Sequence, residues 1–379
     1  MQPLSNLMYF LRNKRKAIPM LVIIALAVFG VSIIAVVADT MMDDGRRDWI
    51  NPTKVYARVF AAEDFIDPRI GVALRQSPDV ERVMSTLQSN IRVQGLFGSR
   101  GSPVMGLKDD DLRWYMEKAG LKLVEGRLPG RSQDEIVLHD AILKSKGINL
   151  GDYVGRKVDS DEWLPGKYLV VGRLEGPIQI GLTSANSLRK FLYSNQNPPG
   201  DTGFYVFAVP GRMGELDDYL RSLSTDKVMV RTLTTATRDF KKETGNVDTI
   251  LWIINGVTIT VLSLAMGLLN TIYFMQRLSE YGILLAMGYR LGFLIRRTLM
   301  EAISLTLFGW VLGVLVSDGA NWVLRNYVFA PRGITLSPLS LKAVLYTVPI
   351  PIMIGVFSLV TVLSQLLRLD PVTIVERRE

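Results

Sequence analysis

Several residue types that common catalytic and metal sites need are missing or scarce. The 379 residues contain no cysteine and one histidine, His139. Without cysteine there is no disulfide, thiolate metal site or cysteine nucleophile. One histidine excludes a histidine metal cluster, and a histidine-based triad has no plausible set of partners. His139 follows the predicted strand 135–138, at its end. We therefore interpret it as structural and predict no catalytic residues and no metal site.

Phosphate-binding and ion-carrying motifs are also missing. No G-x-x-x-x-G-K-[S/T] segment occurs, so the chain carries no phosphate cradle of that type. The acidic run Asp109, Asp110 and Asp111 fits the first turn of a helix, which favours carboxylates, better than a metal site. No charge lies in the middle of a long apolar run, which disfavours a proton- or ion-coupled carrier.

Long apolar runs are what the sequence has in abundance. The mean hydropathy is +0.22, and four runs are long enough, or nearly so, to cross a bilayer as helices. Residues 1–16 are amphipathic with a basic end, which predicts an interfacial helix instead of a cleaved signal. The predicted order is interfacial helix 1–16, span 17–39, domain 40–246, span 247–275, connecting segment 276–298, span 299–318, loop 319–340, span 341–363 and tail 364–379.

Basic residues near the span ends predict the orientation. The segments 1–16, 276–298 and 364–379 contain four, four and three Lys or Arg, against two in 317–340. The positive-inside rule then places both termini and 276–298 in the cytoplasm and 40–246 outside it. The net charge of +8 is largely juxtamembrane, so we expect anionic membrane lipid, and not nucleic acid, as its partner.

Domain 40–246 alternates short strand-like and helix-like patterns. The fold class predicted is a membrane protein of four transmembrane helices with a large α+β extracytoplasmic domain between the first and second. The predicted strands are 54–60, 91–94, 135–138, 168–171 and 204–209, the helices 77–89, 109–118, 141–146 and 213–223, and a helical stalk 234–248. The glycine-rich stretch Gly95–Pro103 is predicted to be an exposed loop, whose Leu96 and Phe97 contact an adaptor or substrate.

Small residues in the spans indicate close helix packing. Gly309 and Gly313 form a G-x-x-x-G pair in the third span, and Ser263 and Gly267 lie in the second. Pro349 and Pro351 interrupt the fourth span and predict a kink.

The segment 276–298 combines an apolar face with flanking charges, which suits a short helix that binds in a partner's groove. Its residue pattern resembles that of a known protein family. Glu280, Gly282, Ile283, Leu284, Ala286 and Gly288 match the pattern E-x-G-I-L-x-A-x-G, and Leu369–Val372 gives a short L-D-P ending. Gly126-Arg127, Glu135–Leu138 and Val170–Gly172 fit the same family's outer domain. The chain thus resembles MacB-like and FtsX-like (type VII) ABC transporter permeases.

This resemblance implies a mechanism and a set of partners. Two permease copies pair, as a homodimer more readily than a heterodimer, and two copies of a separate ATPase subunit bind ATP and Mg²⁺. No cofactor is expected in this chain. The resemblance is to DevC-, LolC/LolE- or heme-exporter-like permeases, which have no fused ATPase domain. A membrane-fusion adaptor is a further possible partner. The residues implied in coupling to the ATPase are Glu280, Gly282, Ile283, Leu284, Ala286, Met287 and Gly288.

Three functions stay open at this stage. The first is export or extraction of an amphipathic or hydrophobic substrate, by mechanotransmission from the ATPase to the extracytoplasmic domain in a prokaryotic inner or plasma membrane. The second is an FtsX-like signalling module that controls a partner on the outer face. The third is a membrane-anchored receptor without an ATPase.

Overall fold

The computed structural model describes residues 14–62, 66–96, 98–193, 202–276, 283–284 and 287–366. These residues divide into two compact units. The helical unit takes the described residues of Met1–Asp39, Val247–Arg325 and Leu336–Glu379, and the α+β unit those of Thr40–Asn246 and Asn326–Thr335.

Ten α-helices occur in the described residues. In chain order they are α1 Lys14–Gly45, α2 Pro68–Gln76, α3 Asp109–Lys118, α4 Asp140–Lys146, α5 Ala185–Leu192, α6 Met213–Ser222, α7 Leu233–Gln276, α8 Leu291–Val323, α9 Leu341–Thr347 and α10 Pro349–Leu366. Short π- and 3₁₀-helical turns follow α1 at Arg46–Ile50 and Pro52–Lys54, and follow α8 at Leu324–Phe329 and Ala330–Arg332.

Four helical stretches are long and apolar enough to cross a membrane, as judged by length and composition. They are Ala17–Ile50, Trp252–Leu269, Gly292–Arg332 and Leu341–Val360. The last one is broken between α9 and α10 at Pro349, because proline has no N–H to donate to the preceding turn.

The helical unit is packed around α1. Ile24, Val28 and Val31 on α1 are fully buried, and Leu305 of α8 and Ile354 of α10 belong to the same apolar cluster. Polar side chains also join elements of this unit. The indole N–H of Trp310 donates to Thr347 Oγ1 at 2.9 Å, and Ser340, which caps α9, donates to Asp39 Oδ2 at 2.7 Å.

The α+β unit contains two sheets. Their strands are β1 Ala57–Ala61, β2 Val80–Ser85, β3 Gln88–Gly95, β4 Gly98–Leu107, β5 Lys122–Gly126, β6 Glu135–His139, β7 Tyr153–Val154, β8 Tyr168–Glu175, β9 Gly181–Ser184, β10 Gly203–Ala208 and β11 Val228–Arg231. The small sheet has the order β11-β1-β10-β2 and is antiparallel. The large sheet has the order β3-β4-β9-β6-β8-β5, with β7 on β8, and is mixed. The predicted α+β class is confirmed.

An aromatic core joins the two sheets. The core contains Tyr205 and Phe207 of the small sheet and Tyr56, which directly precedes β1. They pack in one cluster with Tyr115 and Trp114 of α3. Trp114 and Phe207 are edge-to-face with ring centroids 4.8 Å apart, and Tyr56 and Tyr205 likewise at 4.9 Å. Such pairs add to the burial of apolar area. Burial raises the pKa of Tyr56 to about 12, so this phenol stays neutral at physiological pH.

One predicted helix is wrong. Residues 77–89 form β2 Val80–Ser85 and the start of β3 at Gln88. Val80, Met84 and Leu87 have helical spacing in the sequence, but β2 pairs along its length with β10. The pairing and the burial of Met84 in the aromatic core decide the conformation, since strand preference depends strongly on tertiary neighbours.

The predicted loop Gly95–Pro103 is also replaced by regular structure. β3 and β4 form a hairpin in which Gly95 is opposite Gly98, and Leu96 lies in its turn. Gly98 has φ +130°, a conformation that non-glycine residues rarely adopt. Phe97 lies outside the described residues. Pro103 is tolerated inside β4 because pairing with β9 begins only at Val104.

Candidate functional site

The described part of the connecting segment is a helical turn closed by a glycine. The Met287 N–H donates to the Ile283 carbonyl at 3.0 Å, and the Tyr289 N–H to the Leu284 carbonyl at 3.1 Å. Gly288 has φ +89°. A left-handed residue followed by such a long-range hydrogen bond is typical of a Schellman helix end. Glu280, Gly282 and Ala286 lie outside the described residues.

Exposed apolar side chains surround this turn. Ile283, Met287, Tyr289 and Phe293 are 52%, 62%, 42% and 48% exposed, and we call these four residues the coupling surface. The rings of Tyr289 and Phe293 stack with centroids 5.7 Å apart. Leu294, next in the chain, is fully buried, so it fixes the start of α8 while its neighbours stay accessible. A methionine and two rings form an adaptable surface for an apolar partner.

Charged residues lie next to the coupling surface in the chain, before α8 and in its first turns. Arg290 precedes the helix in an extended conformation with ψ 138°, and Arg290 and Arg296 are exposed. Arg297 forms an ion pair with Glu301, Nε to Oε1 at 3.3 Å, and both side chains are largely buried. The sequence reading missed this pair, which the i,i+4 spacing would have indicated. Glu301 falls within the span predicted for 299–318.

The small residues predicted to pack helices lie at close approaches. A Cβ on Gly309 would be 3.0 Å from Ile24 Cβ, and one on Gly313 would be 2.7 Å from Val28 Cβ. Thus α8 touches α1 through its glycine pair. A Cβ on Gly267 of α7 would be 3.3 Å from Phe357 Cβ on α10, and Ser263 is fully buried.

His139 caps a helix. Its Nδ1 accepts a hydrogen bond from the Ala141 N–H at 3.2 Å, and its Nε2 is 3.2 Å from the Gly176 carbonyl oxygen. These two contacts fit the neutral tautomer that carries its proton on Nε2. Burial lowers the pKa of His139. The side chain therefore satisfies the first turn of α4, as its structural interpretation implies.

The residues that carry the outer-domain resemblance form polar contacts and a close backbone approach within the large sheet. Arg127 binds Glu135 with both guanidinium ends, and the Gly130 N–H donates to the same carboxylate at 3.0 Å. The hydrogen bonds from Arg127 lower the pKa of Glu135. Gly126 has φ +82°, and a Cβ there would be 2.2 Å from the Val171 carbonyl oxygen. Gly126 thus allows its backbone to approach that of Val171 closely, and Arg127 and Glu135 form a charged pair.

A polar cleft of about 310 Å³ lies beside the hairpin that carries Leu96. Its buried Glu162 is paired with Lys146 and accepts the Arg92 N–H at 2.7 Å. The Gln94 N–H donates to Ser145 Oγ at 2.7 Å. These side chains satisfy the open edge of β3, which is how sheets protect an edge strand.

The acidic run starts a helix, as predicted. Asp109, Asp110 and Asp111 fill the first turn of α3, and Asp109 and Asp111 pair with Arg131 and Arg82. In the part of the chain that the structure describes, no group of three or more His, Cys, Asp or Glu could hold a metal ion.

Comparison with solved structures gives distant similarities. The periplasmic region of MacB from Actinobacillus actinomycetemcomitans is 15% identical, with a TM-score of 0.33, over 50% of this chain and 94% of that one. The extracellular domain of the noncanonic ABC-type transporter YknZ from Gram-positive bacteria is 13% identical, with a TM-score of 0.28, over 46% of this chain and 98% of that one. No curated protein sequence matches the chain.

A family model gives the more direct result. Residues 252–371 match the model described as FtsX-like permease C-terminal. The matched range includes α8, α9 and α10, most of α7, and the whole connecting segment with its coupling surface. Residues 252–371 therefore form an FtsX-like permease C-terminal domain, as the resemblance to FtsX-like permeases implies.

Proposed function

We propose that this chain is the permease subunit of an ABC exporter or extractor, driven by a separate ATPase subunit that binds the segment 276–298. The observation that carries the proposal is the coupling surface, which lies between two apolar helices inside the family match. An anchored receptor without an ATPase would give no reason for exposed apolar side chains at this position.

Burial of these side chains supplies a physical driving force. Apolar area removed from water stabilises a complex by about 25 cal/mol per Å², and a short helix with an apolar face fits a groove in a partner. Arg290 and Arg296 provide exposed charge beside this face, as a polar rim does around the centre of an interface. Gly288 ends the turn, so the apolar residues occupy a defined segment.

A continuous helix can carry the displacement away from this segment. α7 runs from Leu233 to Gln276, and residues of both units belong to it. An α-helix resists extension because every turn is hydrogen bonded. In this mechanism, ATP-driven movement of 276–298 pulls on the end of α7, and the α+β unit acts on an amphipathic or hydrophobic substrate. The proposal includes cytoplasmic termini, pairing of two permease copies and two ATPase copies.

Copurification tests the proposal. The tagged full chain is purified from its native host in mild detergent, as wild type and as Ile283→Asp and Met287→Asp. Val158→Asp is the matched control, because Val158 is 51% exposed and lies in the α+β unit. We expect an ATPase subunit to copurify with wild type and control and to be lost from both coupling-surface variants.

Three results would contradict this account. An ATPase retained by both coupling-surface variants would mean that it binds elsewhere. No ATPase with wild type would favour the anchored receptor. Retention of the ATPase without any substrate release in reconstituted membranes would favour the signalling module.

A further inference from the structure

Two arginines lie directly opposite each other on the small sheet. Arg58 of β1 and Arg231 of β11 are Cα partners in the antiparallel register. Residues opposite each other in such a pair have side chains on the same face, about 5 Å apart at Cβ. Like charges in this arrangement destabilise the sheet, so the pair needs a compensating contact.

The described residues supply no anionic partner at contact distance. Neither arginine forms an ion pair or a hydrogen bond through its side chain with any described residue, and Arg58 Nε is buried without an acceptor. Asp239 and Glu243 of α7 act on Arg231 only at longer range, and burial together with Arg58 lowers the pKa of Arg231. The two positive charges thus have no carboxylate of the described residues at contact distance.

A third arginine on the same face shows the difference. Arg82 of β2 is opposite Phe207, and Arg58 of β1 is opposite Tyr205. Tyr205 and Phe207 are two residues apart on β10, so all of these side chains lie on one face. Arg82 is paired with Asp111 at 3.6 Å and lies over the Trp114 ring. The fold therefore neutralises an arginine at one end of this sheet face and leaves two without a carboxylate at the other.

Apolar groups surround the arginine pair. The Arg231 guanidinium lies over the Trp49 ring at 4.8 Å, and that of Arg58 lies 5.4 Å from the Phe60 ring. Met229 is opposite Phe60 on the same face and is 49% exposed. We call Trp49, Arg58, Phe60, Met229 and Arg231 the arginine patch. It combines two fork-shaped donors with an accessible apolar surface.

We propose that the arginine patch binds an anionic amphiphile. The two guanidinium groups hold its phosphate or carboxylate, for which arginine has matching geometry, and Met229, Phe60 and Trp49 contact its apolar part. This inference goes beyond the proposed function and does not depend on the ATPase.

Binding is measured as the shift of the thermal unfolding midpoint of the full chain, in a neutral detergent at low salt. The probes are dioctanoyl phosphatidylglycerol, dioctanoyl phosphatidylcholine and inorganic phosphate. A ligand that binds the folded state raises the midpoint in proportion to its affinity and concentration. We expect phosphatidylglycerol to stabilise the wild type more than phosphatidylcholine, which has the same chains and no net charge.

Variants separate the patch from general electrostatics. Arg58→Gln and Arg231→Gln should each weaken phosphatidylglycerol binding at least about tenfold, since a hydrogen bond to a charged group is lost. Arg82→Gln removes the same charge from the same sheet and should bind as wild type. Without ligand, Arg58→Gln and Arg231→Gln should unfold no earlier than wild type, because repulsion is relieved.

The outcomes decide between sources of the anion. Competition of phosphate with phosphatidylglycerol supports a shared anion site, and stabilisation by phosphate alone would keep the anion site but overturn its apolar half. Equal stabilisation by the two lipids with none by phosphate would overturn the proposal. So would unchanged binding by both patch variants, or equal loss in Arg82→Gln.

Discussion

At Gly313, α8 approaches α1 more closely than any side chain would allow. A Cβ there would also be 3.0 Å from the Ala25 carbonyl oxygen, which is backbone and cannot rotate away. Gly309, one turn earlier, has the same role opposite Ile24. Interfaces of this kind rely on dispersion contacts and close backbones, since lipid supplies no hydrophobic drive between helices.

Gly313→Ala should therefore destabilise the helical unit. Overpacking in a close-packed interior costs about 1–3 kcal/mol, so we expect a lower unfolding midpoint in a detergent titration. Gly319→Ala is the matched control on the same helix, because nothing lies within 4 Å of its Cβ position. An equal effect of both substitutions would show that α8 is simply sensitive to alanine.

His139 gives the α+β unit a pH dependence. Its pKa is lowered by burial, so the folded state binds a proton less readily than the unfolded chain. Its contribution to stability is present above the unfolded pKa of about 6.5 and is lost as pH falls from that value through the lower folded pKa. The chain has no other histidine, so the range from pH 7.5 to 5.5, which spans the unfolded pKa, is the one in which this site is tested.

We expect α4 to lose hydrogen-exchange protection over that pH range, after correction for the intrinsic exchange rate. His139→Asn keeps a helix-capping acceptor without a titrating group, and should make the protection independent of pH. A loss of protection in the variant that equals that of the wild type would assign the pH dependence to other groups.

Sequence reasoning reaches some of these residues and not others. Gly309 and Gly313 could be singled out because they are spaced along one helix. Arg58 and Arg231 could not, because they are far apart in the chain and become neighbours only when β1 pairs with β11. The buried pair Arg297 and Glu301 was within reach by spacing alone, and its position inside an apolar stretch hid it.

At the scale of elements, local signals succeeded where they agreed with the tertiary contacts. Asp109–Lys118 has an acidic first turn and a basic last one, and the predicted helix has these bounds. The stalk predicted at 234–248 is part of α7. Residues 77–89 failed because the same apolar spacing is satisfied by a strand that buries Met84 against a neighbouring sheet.

The hairpin of β3 and β4 shows a different limit. Glycine and serine in Gly95–Pro103 indicate a loop by composition, but Gly95 and Gly98 are used to close a tight turn. β4 then becomes an inner strand, paired with β3 and β9. Composition indicates which conformations a segment can adopt, and pairing with a neighbouring strand determines which one it adopts.

At the scale of the whole molecule, the α+β unit is assembled from two separate parts of the chain. Residues Asn326–Thr335, from the predicted loop 319–340, belong to it. Gly333 has φ +69°, and a Cβ there would be 2.2 Å from the Ala141 carbonyl oxygen of α4. Ile334 is buried, and Arg47 forms a side-chain hydrogen bond with Thr335. No periodicity or motif in the sequence predicts that residues 326–335 belong to the α+β unit.

A fragment of residues 40–246 should consequently expose part of its own surface. Removal of 326–335 uncovers the backbone of α4 and loses the burial of Ile334, which is worth about 1.5 kcal/mol, or roughly tenfold in an equilibrium. We expect amide protection of residues 140–147 to be about tenfold lower in the fragment than in the full chain. Peptides from α6 serve as the internal control and should exchange equally in both.

Gly333→Ala in the full chain should reproduce the effect without any truncation. Alanine at this φ costs about 1 kcal/mol, and its Cβ has no room beside Ala141. If the fragment and the variant both keep wild-type protection in α4, then 326–335 only touches the unit. If both lose it while α6 is unchanged, residues 326–335 are an integral part of the α+β unit and stabilise α4.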